Sequence, residues 1–164
     1  MSIHTFSVTT MTGSQFALDA YKGKVVVIVN TASQCGLTPQ YRELETMHEE
    51  LKELGGVVLG FPCNQFGHQE PLDATEIQSF CEKNFGISFP LFAKINVNGK
   101  DASPLYRYLK QQAPGILGST SIKWNFTKFL IKKDGSVYRR YAPTTKPHDL
   151  MADIRLLLQE TEAN

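Results

Sequence analysis

Two runs of apolar residues are long enough to form strands that are buried on both faces. The first, at 24–30, contains five consecutive β-branched residues, and the second lies at 57–62. Between them, apolar residues recur at helical spacing from Pro39 until Gly55 and Gly56, which are typical of a helix end. The apolar positions of this helix are Tyr41, Leu44, Met47, Leu51 and Leu54. A strand, a helix and a second strand in this order predict a parallel, right-handed βαβ unit.

Hairpins are predicted near both ends of the chain. Apolar residues on either side of a turn at Thr12-Gly13 indicate a hairpin over 3–21. A second hairpin is predicted over 128–141, where Asp134-Gly135 is a strong turn signal between two short apolar strands.

Three further helices are predicted from their start signals. Asp73 and Glu76 have the spacing of a capping box. The inner face of the helix that follows is predicted to carry Ile77, Phe80, Cys81 and Asn84. The other two helices begin at Ser103-Pro104 and at Pro147. The whole order predicts an α/β protein with a thioredoxin-like fold, in which a central mixed sheet has helices on both faces and an N-terminal β-hairpin precedes it.

The composition is that of a globular protein. The chain has 164 residues, of which 41% are hydrophobic and 20% charged, and this predicts one domain over residues 1–164. No apolar stretch approaches membrane-spanning length, and the first residues lack the pattern of a signal peptide. We therefore expect a cytoplasmic location.

Charge is distributed unevenly along the chain. Residues 1–99 hold 6 Lys and Arg against 10 Asp and Glu, whereas residues 100–164 hold 11 against 6. A mildly basic face could meet an anionic partner, but no dense basic run is present, so a solvated face is the simpler interpretation. We expect no nucleic-acid partner and at most transient contact with a membrane surface.

The chain contains three cysteines, Cys35, Cys63 and Cys81. An odd and sparse set does not suit a secreted disulfide scaffold. Neither Cys-x-x-Cys nor His-x3-His spacing occurs, so no structural metal site is expected. Catalysis and inert burial remain as the two possible roles of these cysteines.

Cys35 lies where the first buried strand gives way to a helix. Thr38 is predicted to cap that helix, with Pro39 at its first position. Active sites form at such points in α/β folds, and a helix N-terminus favours the thiolate, which is the reactive form of cysteine. The alternative is a small buried cysteine in a tight turn.

Two other loops carry side chains that suit the same chemistry. Gln69 and the pair Trp124-Asn125 each follow or precede an apolar run and offer neutral N–H donors. Such donors would stabilise a thiolate without a histidine and would hold an oxygen-bearing substrate, which favours attack on an O–O bond over acyl transfer. Spacing alone does not show that the loops converge, and each residue also has a purely structural interpretation, with Trp124 filling the core and Asn125 shaping a turn.

Three long motifs occur in one order along the chain. They are NTASQCGLTPQY at 30–41, LGFPCNQF at 59–66 followed by QEP at 69–71, and KWNFTKF at 123–129. They closely resemble the glutathione peroxidase family, and the resemblance extends over essentially the whole chain. It implies a thioredoxin-like fold and reduction of hydroperoxides to water or alcohols. It also implies that Cys35 is the peroxidatic cysteine, at the position where other members have selenocysteine. Gln69, Trp124 and Asn125 match the rest of the catalytic tetrad, and no metal or organic cofactor is implied.

The resemblance gives Cys81 a role as well. Its context, FCEKNFG at 80–86, resembles the thioredoxin-dependent branch, in which this cysteine resolves the sulfenic acid by forming an intramolecular disulfide. Cys81 follows Ile77 by one helical turn, so we expect it to be buried and away from Cys35. A disulfide requires Cα atoms within about 7 Å, which predicts local unwinding of the helix in each cycle. Cys63 is interpreted as a packing residue at a strand end.

The loop at 112–122 bears on assembly and substrate. Tetrameric family members have a longer insertion there, so the resemblance implies a monomer whose open site admits bulky lipid hydroperoxides. Two alternatives remain for the activity. One is a glutathione-dependent peroxidase in which Cys81 is structural, and the other is a peroxide sensor that relays oxidation to a partner protein.

Overall fold

The computed structural model describes residues 2–161, except the side chain of Ile116. Its strands are β1 (Ser7–Thr9), β2 (Gln15–Ala17), β3 (Val25–Thr31), β4 (Gly56–Pro62), β5 (Lys128–Ile131) and β6 (Val137–Tyr141). Its α-helices are α1 (Gln40–Leu54), α2 (Ala74–Phe85), α3 (Pro104–Gln112) and α4 (Met151–Leu158). Within residues 2–161, no helix has the length and apolar character that crossing a membrane requires.

Strand β3 is central to a mixed sheet of order β4-β3-β5-β6. It runs parallel to β4 and antiparallel to β5, and all seven of its residues are buried. Its alternate side chains enter two cores: Val26 and Ile28 pack with α3, whereas Val27 and Val29 pack with α1 and α4. The predicted mixed sheet with helices on both faces is therefore confirmed.

Both predicted hairpins are present. Strands β1 and β2 pair antiparallel, with Val8 opposite Phe16, and β5 pairs with β6. Gly135 adopts a φ of 87° in the second turn, a conformation that favours glycine. The capping box is also confirmed, since Asp73 accepts a hydrogen bond from the Glu76 N–H at 2.8 Å.

Three details of the helices differ from expectation. Helix α1 begins at Gln40, and Thr38 does not cap it, because the Thr38 hydroxyl is engaged with the turn that contains Cys35. Leu54 is 55% exposed, since the apolar stripe of α1 has rotated off the core by its last residue. Asn84 is exposed as well, and its amide donates to the carbonyl of Phe80 instead of facing the core.

Candidate active site

Cys35 lies in a turn between β3 and α1 and is only 7% exposed. The N–H of Leu37 donates to its Sγ at 3.3 Å. The turn is held by Thr38, whose hydroxyl accepts from the Cys35 N–H at 2.9 Å and donates to the Ala32 carbonyl at 2.8 Å. The turn therefore places Cys35 at the end of β3 with a backbone N–H directed at its sulfur.

The loop of Gln69 is fastened to this turn. The N–H of Gln34 donates to the Gln69 carbonyl at 2.9 Å. Next to it, the fully buried carboxylate of Glu70 accepts from the Ser33 N–H at 2.7 Å and from the Ser33 hydroxyl at 2.9 Å. Burial raises the pKa of Glu70, and the two bonds from Ser33 oppose that rise. Glu70 thus fastens the Gln69 loop to Ser33, which lies two residues before Cys35.

The loop of Trp124 and Asn125 is held by Asn30, a fully buried residue of β3. Its amide donates to the Trp124 carbonyl at 3.2 Å, and its Oδ1 accepts from the Thr127 N–H at 3.1 Å. The Phe126 N–H donates to the Asn30 carbonyl at 2.7 Å. The amide side chain of Asn30, which follows the five apolar residues of β3, therefore anchors the third loop at the end of this strand.

The two donor loops meet each other. The Asn125 amide donates to Gln69 Oε1 at 3.2 Å. Both Trp124 and Gln69 lie against Gly67, where an added Cβ would stand 3.3 Å from the indole and 3.4 Å from Gln69 Nε2. Trp124 packs on Phe66 with ring centroids 5.8 Å apart, yet it is 37% exposed. Trp124 is therefore partly exposed and does not merely fill the core.

Asn125 has an unusual balance of hydrogen bonds. Its side chain is fully buried, and its Oδ1 has no partner within residues 2–161. An unpaired buried oxygen costs free energy, and this one belongs to the same side-chain amide that donates to Gln69.

Cys81 lies inside intact α2 with a fully buried side chain, as expected, and all three cysteines are free thiols. Burial raises the pKa of Cys81 to about 11; interaction with the Tyr41 hydroxyl lowers it, and the charges of Glu70 and Glu82 raise it further. Cys81 is therefore a protonated, weak nucleophile while the helix is closed. Burial also raises the pKa of Cys63, consistent with packing.

Three residues of this arrangement were not singled out from the sequence. Asn30 could have been recognised from the sequence, because a polar amide is unusual at the end of a buried, β-branched strand. Glu70 and Tyr41 had none, since their partners Ser33 and Cys81 are far away along the chain.

The chain is similar in sequence to a known protein family. The sequence model of the family described as "Glutathione peroxidase" matches residues 3–110, which include Cys35, Gln69 and Cys81. The chain belongs to the glutathione peroxidase family. Trp124 and Asn125 lie beyond the matched residues. As a cysteine-containing member of the family, it is a thiol-dependent peroxidase that reduces hydroperoxides through cysteine.

Three curated members of the family align along most of their lengths. "Glutathione peroxidase homolog BsaA" of Halalkalibacterium halodurans is 55% identical over 96% of this chain and 100% of its own. "Glutathione peroxidase-like peroxiredoxin HYR1" of Saccharomyces cerevisiae is 53% identical over 92% of both chains. "Hydroperoxy fatty acid reductase gpx1" of Synechocystis is 49% identical over 96% of both.

Solved structures agree with the glutathione peroxidase assignment. The apo form of Trgpx has a TM-score of 0.84 and 42% identity, covering 99% of both chains. T. cruzi GPX1 has a TM-score of 0.81 and 37% identity, covering 96% of this chain and 97% of its own. A thioredoxin-family interchange protein of Chlorobium tepidum, at 18% identity and a TM-score of 0.63 over 96% of both chains, shares the fold alone.

Proposed function

We propose that Cys35 is the peroxidatic residue of this glutathione peroxidase homologue. Its thiolate attacks one peroxide oxygen, an S–O bond forms, and the O–O bond breaks. The sulfur becomes a sulfenic acid, and the departing oxygen takes a proton and leaves as water or an alcohol. The observation that carries the proposal is the meeting of Gln69, Trp124 and Asn125 beside the turn of Cys35.

The three donors have separate tasks in this proposal. The Gln69 amide and the Trp124 indole orient the peroxide and stabilise the thiolate, since N–H donors favour charged over neutral sulfur. The Asn125 amide holds Gln69 in place by donating to its Oε1. The donors are in place before the reaction, so little reorganisation is needed when charge develops on oxygen.

We further propose that Cys81 resolves the sulfenic acid. Its thiol condenses with Cys35–SOH, an S–S bond forms, and water leaves; thioredoxin then reduces the disulfide by exchange. The burial of Cys81 in α2 supports the requirement that the helix unwinds, because closed α2 keeps the thiol protonated and inaccessible. The yeast relative named a peroxiredoxin is consistent with this choice.

Turnover with two reductants tests the role of Cys81. We expect brisk peroxide reduction with thioredoxin, thioredoxin reductase and NADPH, and a loss of that turnover in Cys81→Ser, because an unresolved sulfenic acid is not a substrate for thioredoxin. NADPH consumption measures both, with Cys63→Ser as the matched control that keeps its activity. Retained glutathione turnover in Cys81→Ser would support a glutathione peroxidase with a structural Cys81. Oxidation without appreciable turnover by either thiol would support a peroxide sensor.

The substrate range is proposed to include lipid hydroperoxides. Arg140 ties the short 113–121 loop down by donating to the carbonyls of Ala113, Thr120 and Ser121, and Trp124 stays 37% exposed beside it. One relative is named a hydroperoxy fatty acid reductase. We expect turnover of phosphatidylcholine hydroperoxide in detergent micelles, measured with the same NADPH assay. Turnover of hydrogen peroxide without any turnover of phosphatidylcholine hydroperoxide would contradict an open site.

The same proposal treats residues 1–164 as one peroxidase domain that works as a cytoplasmic monomer. The short 113–121 loop supports the monomer, because it offers no insertion for a subunit contact. Light scattering at working concentration tests the oligomeric state, and fractionation of the source cells tests the location.

A further inference from the structure

The segment that follows α2 is fastened to α1 by one nearly buried carboxylate. Glu45, which is 9% exposed, accepts hydrogen bonds from the Ser88 N–H at 2.8 Å, the Ser88 hydroxyl at 2.6 Å and the Phe89 N–H at 3.3 Å. The Ser88 hydroxyl lies 3.1 Å from Glu49 as well. Hydrogen bonds to a carboxylate are stronger than those between neutral groups. We call the contacts of Glu45 with Ser88 and Phe89 the Glu45 clamp.

The clamp begins two residues after Gly86, the C-terminal cap of α2. Gly86, with a φ of 59°, donates from its N–H to the Glu82 carbonyl at 3.1 Å. The bond from Gly86 to Glu82 is that of an αL C-cap, and the Ile87 N–H donates to the carbonyl of Cys81 at 3.4 Å. The backbone carbonyl of Cys81 thus accepts a hydrogen bond from Ile87, the residue directly before Ser88.

The rest of α2 is held mainly by partly buried contacts, in which Phe80 and Phe85 pack against the core beside α1. Only Ile77 and Cys81 of this helix are fully buried. A cavity of about 320 Å³ separates the helix from the segment after it, and its lining includes Gln78, Cys81 and Ser88. A segment with few buried apolar side chains opens at a small fraction of the free energy of global unfolding. The hydrogen bonds of the Glu45 clamp therefore add to the partly buried contacts of Phe80 and Phe85 in keeping α2 closed.

The chain beyond the clamp is anchored independently. The Gly60 N–H on β4 donates to the Pro90 carbonyl at 2.9 Å, and the Phe92 N–H donates to the Gly60 carbonyl at 3.0 Å. At the other end, the capping box of Asp73 and Glu76 lies within α2 itself. The unit able to open without disturbing the sheet is consequently α2 with its cap and Ser88.

We propose that the Glu45 clamp controls how often α2 opens to expose Cys81, which makes Glu45 a positioning residue for the resolving step. The consequence for catalysis rests on the proposed role of Cys81. When Ser88 leaves Glu45, Ile87 and Gly86 lose their fixed places, their bonds to the last turn break, and Cys81 is freed. Within residues 2–161, Glu45 has no hydrogen bond to Gln69, Trp124 or Asn125, so attack of Cys35 on peroxide is independent of it.

Labelling of Cys81 measures the opening without any catalysis. In a Cys35→Ser/Cys63→Ser background, the one remaining thiol reacts with a maleimide only when α2 opens. We expect Glu45→Gln to increase the labelling rate about tenfold, and Ser88→Ala to increase it less, because each removes bonds to the carboxylate. The matched control is Glu50→Gln on the same helix, since Glu50 is exposed and has no contact with the segment after α2.

A single turnover distinguishes control of opening from a general loss of stability. Reduced Cys63→Ser enzyme is mixed with one equivalent of hydrogen peroxide, and sulfenic acid and disulfide are followed by acid quench and mass spectrometry. With Glu45→Gln we expect unchanged oxidation of Cys35 and about tenfold faster disulfide formation, whereas a residue that only stabilised the fold would not accelerate a step.

Unchanged labelling in both Glu45→Gln and Ser88→Ala would overturn the proposal, because the clamp would then persist in the open state. Faster labelling together with full thioredoxin turnover in Cys81→Ser would support the clamp and refute the resolving role of Cys81. The two failures are therefore separable.

Discussion

The Cys35→Ser variant is expected to lose at least about a thousandfold in kcat/KM for hydroperoxides, as removal of a catalytic nucleophile does in other enzymes. A serine hydroxyl is not ionised at neutral pH and its oxygen cannot be oxidised as sulfur can, so the O–O bond has no acceptor for its oxygen. The measurement is NADPH-coupled turnover with hydrogen peroxide, complemented by trapping of sulfenic acid with dimedone in Cys81→Ser.

Cys63→Ser is the control for loss of a buried thiol. Cys63 is fully buried and lies 3.7 Å from Gln65 Oε1, a residue outside the three donors. Its replacement should leave turnover within about twofold, because burial already keeps its thiol out of the thiolate form. A dimedone adduct on Cys63 and activity surviving in Cys35→Ser would show that the wrong cysteine has been assigned.

The Asn125→Ala variant is expected to lose about a hundredfold in kcat/KM, in the range found for removal of one preorganised polar group from an active site. The reason is that the bond that holds Gln69 Oε1 disappears, so the Gln69 amide is no longer fixed. Peroxide oxidation of Cys35 in a single turnover measures the affected step directly, and the later disulfide step should be unchanged.

Asn96→Ala provides the matched control, because Asn96 is exposed and its side chain takes no part in the site. Circular dichroism and urea unfolding of both variants show whether the fold persists. If Asn125→Ala retained full single-turnover reactivity with an intact fold, Asn125 would be a residue that shapes the turn before β5 and nothing more.

Opening of α2 connects these predictions to the proposed cycle. Cys35 reacts within a turn that is fixed by Thr38, Ser33 and Glu70, so its chemistry requires no large motion. Cys81 depends on motion, since its closed environment raises its pKa to about 11. The proposed cycle thus divides into a rigid peroxide-reducing half and a mobile resolving half.

Local patterns in the sequence were sufficient to predict most elements. The β-branched run of β3, the glycines after α1, the capping box of α2 and the Asp134-Gly135 turn all act over a few residues. The errors were local as well. Thr38 was predicted to cap a helix, but the tight turn at Cys35 uses its hydroxyl instead. Leu54 was predicted to be an apolar position of α1 from its helical spacing, but it is exposed because the last residue of α1 no longer faces the core.

The candidate site was only partly predictable. Cys35 was a candidate from its place between strand and helix, and the resemblance of three motifs implied its role and those of Gln69, Trp124 and Asn125. The context FCEKNFG at 80–86 implied the role of Cys81. What these motifs could not reveal was how the residues are held. Asn30 binding the Trp124 loop, Glu70 binding Ser33 and Glu45 binding Ser88 each join positions that are distant along the chain.

The sequence by itself therefore determined the strands, the helices and the fold class, because hydrophobic periodicity and turn chemistry report on neighbouring residues. Only the tertiary structure decided that Asn125 meets Gln69 and that Glu45 fastens the segment after α2. Such pairings depend on where separate elements cross in space. That information is absent from any short stretch of the chain and arises only when the sheet and its helices pack together.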